Sequence, residues 1–134
     1  MGIEIDRTRF SPGDYQAFQQ RLEENLDALY QLADDPGFAR GPGSLGAELE
    51  MYLVDANGRP LYANREVLEQ ASDPQLTLEL NRYNLEFNLS PYALSEAPFT
   101  STENEILTKV SGLGKVAAKF GGRVVPIGIL PTLR

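Results

Sequence analysis

Gly46-Ala47-Glu48-Leu49-Glu50-Met51-Tyr52-Leu53 and Arg82-Tyr83-Asn84-Leu85-Glu86-Phe87-Asn88-Leu89 both alternate apolar and polar side chains residue by residue. Successive side chains of a strand point to opposite faces, so each stretch sorts into two sets. In the first, Ala47, Leu49, Met51 and Leu53 make an apolar face, and Glu48, Glu50 and Tyr52 project from the other. In the second, Tyr83, Leu85, Phe87 and Leu89 lie on one side, and Arg82, Asn84, Glu86 and Asn88 on the other. If the two strands share a sheet, three carboxylates meet on its polar face.

The flanking sequence supplies what the apolar faces pack against. Ser11-Pro12-Gly13-Asp14 opens a helix, with Ser11 as N-cap, Pro12 at the first helical position and Asp14 at the positive helix end. Tyr15, Phe18, Leu22, Leu26, Leu29 and Leu32 or Ala33 follow at helical spacing as far as Asp34-Asp35-Pro36-Gly37. Phe38 to Ser44 reads as a loop leading into a strand from about Leu45 to Asp55, and Asn57-Gly58 as a turn. Asn64 is the expected cap of a short helix through Val67, Leu68 and Ala71, after which Asp73-Pro74 breaks the chain. A second strand spans about Arg82 to Leu89. Thr100 with Glu103 and Thr102 with Glu105 form overlapping capping boxes ahead of a second long amphipathic helix through Phe120. Gly121-Gly122 ends that helix, and Arg123 to Leu130 reads as a buried strand. The expected fold is therefore a single α+β domain over residues 1–134, mainly an antiparallel sheet with the two long helices on one face.

Composition narrows the chemistry. Hydrophobic residues at 42% and charged residues at 23% place the 134-residue chain among folded globular domains. With 19 acidic against 12 basic residues the net charge is −7, which disfavours nucleic acid as a partner. Cysteine and histidine are both absent, so thiol and imidazole catalysis and cysteine-based zinc sites are excluded. No signal peptide or apolar stretch of membrane-spanning length stands out, so the expected compartment is the cytoplasm.

Like charges at sheet-neighbour distances repel, and Glu48, Glu50 and Glu86 destabilise one another unless water screens them or a cation bridges them. Oxygen-only ligands point to magnesium, manganese or calcium. The plain alternative is that these residues form the wet face of an antiparallel sheet. Against that, Asn84, Glu86 and Asn88 are residues of poor or middling strand propensity, stacked consecutively with no visible structural return. Glu79 falls out of phase with Glu86 and reaches the site only through a bulge near Asn81.

Three motifs carry a resemblance to a known family. Gly46-Ala47-Glu48-Leu49-Glu50 resembles the G-x-E-x-E signature of the glutamate-cysteine ligase family. Asn84-Leu85-Glu86-Phe87-Asn88-Leu89-Ser90-Pro91 resembles its second signature, and Gly128-Ile129-Leu130-Pro131-Thr132 its third, in family order. The resemblance implies a glutamine synthetase-like fold, a curved antiparallel sheet whose polar face is the active site. It implies an ATP-dependent carboxylate-amine ligase that phosphorylates a substrate carboxylate before an amine displaces the phosphate. Glu48, Glu50 and Glu86 are then ligands of the Mg2+ (or Mn2+) ions that accompany ATP, and Tyr52, Arg82, Asn84 and Asn88 are candidates for contacting amino-acid substrate or nucleotide. No catalytic residue is assigned. Family members run several times longer, so the expectation is an N-terminal segment of a longer catalytic domain, incomplete on its own. The competing reading is a non-catalytic α+β interaction module, and exposed sheet edges make a homodimer plausible under either.

Overall fold

The computed structural model describes residues 7–133. The chain divides into two compact units, Met1–Gly41 and Pro42–Arg134. Among the described residues it is an α+β protein with three helices and antiparallel sheets.

The first unit is built on helix α1, Pro12–Asp34. Its start follows the expected chemistry: the Asp14 N–H donates to Ser11 Oγ at 3.3 Å and the Ser11 N–H donates to Asp14 Oδ2 at 2.8 Å. This reciprocal pair satisfies two donors that the first helical turn leaves open. The bonds from Ser11, backbone first, together with Arg7 hold the Asp14 carboxyl below the usual carboxylate range. No second helix or strand occurs among the described residues of this unit.

The second unit holds a four-stranded antiparallel sheet, order β3-β4-β2-β6, with β2 at Glu48–Val54, β3 at Leu76–Leu78, β4 at Asn84–Asn88 and β6 at Arg123–Val125. A separate two-stranded ribbon joins β1, Ser44–Leu45, to β5, Tyr92–Ala93. Leu49 faces Phe87 and Met51 faces Leu85 across the central pair, as strand alternation requires. These side chains, with Leu53 and Leu76, are sealed by Val67 from helix α2, Asn64–Ala71, and by Leu113 and Ala117 from helix α3, Pro98–Ala118. Within this unit the cover over the apolar face is thus α3 with the shorter α2.

Several boundaries differ from the sequence expectation. The predicted strand from Leu45 divides at Gly46-Ala47: Leu45 pairs with Tyr92, and the sheet strand starts only at Glu48. Asn64 does not cap α2 but is buried as its first residue, where its amide donates to the carbonyls of Asn81 at 2.9 Å and Asn84 at 3.2 Å. It pins the turn that precedes β4. The Thr100 and Thr102 capping boxes do not form, because α3 begins at Pro98 and the Glu105 carboxylate is drawn to Ser90, Gln75 and Tyr92. Strand β6 stops before Pro126, which has no N–H for a ladder. Leu130 instead packs against Tyr52 and Val54. At the end of α3 the left-handed turn expected of the glycine pair falls on Gly121, at φ 72°. A Cβ on Gly122 would sit 2.5 Å from a Leu61 methyl and 3.3 Å from the Ala117 carbonyl oxygen, so a larger residue there would displace the Leu61 side chain.

Candidate functional site

The second face of the sheet carries the carboxylates. Glu50 stands directly opposite Glu86 across β2 and β4, and Glu48 stands opposite Asn88, two residues along on the same face. Strand pairing thus brings Glu48, Glu50 and Glu86 onto one surface of adjacent strands, as alternation predicts. Their surroundings differ. Glu48 and Glu50 are exposed, whereas Glu86 on the inner strand β4 keeps only 7% of its surface open.

A fourth carboxylate belongs to this group. Thr77 pairs with Glu86, and Glu79 lies two residues beyond Thr77, on the same side of the sheet. Glu79 is out of phase with Glu86 by simple alternation and is expected to reach the site only through a bulge near Asn81; a turn at Leu80–Tyr83 is the break that brings it there. The signal was present in Leu76-Thr77-Leu78-Glu79 itself, which alternates cleanly. Burial raises the Glu86 carboxyl above its ordinary value, Glu79 and then Glu48 push it further, and the Asn88 amide works against them.

The neighbouring polar groups have distinct partners. Asn88 Nδ2 donates to Glu86 Oε1 at 2.9 Å and to Thr77 Oγ1 at 3.3 Å. Asn84, 6% exposed, stands opposite Tyr52, and its Oδ1 is buried without a hydrogen-bond partner. A shallow recess beside the cluster is lined by Gly46, Ala47, Glu48, Asn88 and Leu89.

Tyr52 and Arg82 have different surroundings. Tyr52 is buried, stacks on Tyr83 with ring centroids 5.9 Å apart, and donates its hydroxyl to the Gly128 carbonyl at 3.4 Å. It packs one end of the face with Val54, Leu130, Tyr83 and Val125. Tyr83 therefore lies on the opposite side from Leu85 and Phe87, because it precedes the strand. Arg82 is exposed in the same turn, so strand parity does not bring it to the carboxylates.

Among the described residues, no three of these acidic groups are spaced to hold an ion by themselves. The donor chemistry still suits a hard cation: four carboxylates and an unpaired amide oxygen, with no nitrogen or sulfur ligand. Magnesium at phosphate-transfer sites usually takes one or two carboxylates and completes its shell with water and phosphate oxygens.

Without a cation, the crowding should cost stability at neutral pH. A carboxyl whose folded-state pKa is raised contributes stability below its ordinary value of 4.5, and loses it as pH rises through the raised value. Glu86→Gln keeps an acceptor for Asn88 and removes the charge. It should stabilise the metal-free protein by about 0.5–1 kcal/mol at pH 7, with the gain fading towards pH 4. Urea unfolding at the two pH values checks this; a variant less stable than wild type at pH 7 contradicts it.

Comparison with family models, with curated proteins and with solved structures gave no match to this chain.

Proposed function

We propose that the second unit is the cation-bearing part of an ATP- and magnesium-dependent carboxylate-amine ligase of the glutamate-cysteine ligase type, with a glutamine synthetase-like sheet. The observation that carries this reading is the register Glu50 opposite Glu86, with Glu48 on the same face and a buried, unpaired Asn84 oxygen beside them. Such an arrangement has a clear cost without an ion and a clear use with one.

The reaction class is amide formation from an amino-acid carboxylate and an amine, through an acyl phosphate made at the expense of ATP. Magnesium in such a reaction neutralises charge on the phosphate oxygens as the phosphoryl group moves. The contribution of this chain is to hold and orient. Glu86 is the centre of the seat, Glu79, Glu48 and Glu50 flank it on the same face, and Asn84 Oδ1 on that face offers a neutral oxygen. Tyr52 fixes the far end of the face by packing. The cytoplasm, where ATP and magnesium are plentiful, suits this activity.

Calorimetric titration of the full chain with Mg2+ or Mn2+, with and without ATP, tests the proposal. Binding to wild type that is lost in Glu50→Ala and Glu86→Ala is the expected result, and a wild type that takes up neither ion ends it. The latter result favours a non-catalytic interaction module. Two features suit that reading: β3 and β6 are the outer strands of the sheet, and Leu80, 99% exposed, lies in the turn before β4.

A further inference from the structure

The side chain that touches Glu86 is itself held from several directions. The two donors of the Asn88 amide are both engaged, one on Glu86 Oε1 and one on the Thr77 hydroxyl of the outer strand β3. The Asn88 backbone is gripped as well: its N–H donates to the Gln75 carbonyl at 2.9 Å, and its carbonyl accepts from Gln75 Nε2 at 3.1 Å. That same Nε2 reaches Ser90 Oγ at 3.2 Å and the Glu105 carboxylate of α3 at 3.1 Å. A chain of hydrogen bonds thus runs from the helix α3 to the acidic face.

We propose that Asn88 is a positioning residue for Glu86, fixing one of its carboxylate oxygens through a side-chain amide that Thr77 orients, on a backbone that Gln75 holds. The role rests on the cation-site reading given above. Glu79, which is hydrogen-bonded to Glu86, and Glu48 both disfavour its charged form, which a neutral donor favours. Asn88 supplies that donor without adding charge, and Thr77, by accepting the second N–H, sets which way the amide faces. Partners of this kind orient the ligands of a metal, and their loss typically weakens metal affinity by about 10–100-fold.

Calorimetric titration of the full chain with Mn2+ alone tests this. Asn88→Ala should weaken binding by about 10–100-fold. Thr77→Val should weaken it in the same direction, whereas Thr77→Ser, which keeps the hydroxyl, should restore wild-type affinity. The Thr77 pair decides the matter if Asn88→Ala does not fold, as judged by circular dichroism. Wild-type affinity in both Asn88→Ala and Thr77→Val overturns the positioning role and leaves the cation site standing. A wild type that binds no Mn2+ overturns both.

Discussion

Phe87→Ala should lower the stability of the second unit by about 3–5 kcal/mol, the largest effect expected of any single side chain. Phe87 is 2% exposed on the inner strand β4, with Leu49 opposite it on β2 and Leu76 opposite it on β3. Its ring also carries the Lys109 ammonium 5.5 Å from its centroid, and that ammonium pairs with Asp73 at 2.6 Å. Truncation leaves a cavity where two strands and α3 meet, and the surrounding backbone is fixed by ladders on both sides. Collapse into it is restricted, so both the transfer and the cavity costs are felt. Chemical denaturation followed by circular dichroism measures the loss. Phe99→Ala, at a residue 76% exposed, is the control and should stay within about 0.5 kcal/mol. Equal effects for the two variants contradict the core assignment.

Replacing Glu105 by Ala should cost about 3 kcal/mol at neutral pH, although the residue lies on a partly exposed helix face. Its carboxylate accepts from the Ser90 hydroxyl at 2.8 Å, the Ser90 N–H at 3.1 Å, Gln75 Nε2 at 3.1 Å and the Tyr92 hydroxyl at 3.2 Å. Removing the acceptor leaves these partly buried donors unpaired and frees the segment after β4 from the helix. Burial works to raise the Glu105 pKa, but the bonds from Ser90, Gln75 and Tyr92 outweigh it and bring the carboxyl below 4.5. A lowered folded-state pKa contributes stability above the ordinary value and loses it as pH falls through the lowered one. The gap between wild type and Glu105→Gln should therefore be full at pH 7 and shrink below pH 4.5. A gap that stays constant across that range places the effect elsewhere.

What could be read from the residues was what repeats locally. Leu49, Met51 and Leu53 against Glu48 and Glu50 is a period of two, and it places each side chain on the correct face without knowledge of any partner. The Ser11-Pro12-Asp14 cap was legible for the same reason, since all its contacts lie within one turn. What escaped depended on partners distant in the chain. Glu105 looks like a capping residue until Ser90, 15 positions earlier, competes for its carboxylate. Asn64 looks like a helix cap until the carbonyls of Asn81 and Asn84 claim its amide. Tyr83 was assigned to the wrong face because a turn between β3 and β4 resets the alternation; for Glu79 the sequence reading names a break near Asn81 as its way to the site, and the turn there supplies it.

The direct pairing of Glu50 with Glu86 limits how this chain can change length. Shifting β2 against β4 by one residue would exchange its two rows, sending Glu48 and Glu50 into the core and Leu49 and Met51 into water. Insertions and deletions in these strands should therefore be purged in units of one, whereas the Asn57-Gly58 turn can gain or lose residues with the ladder left intact.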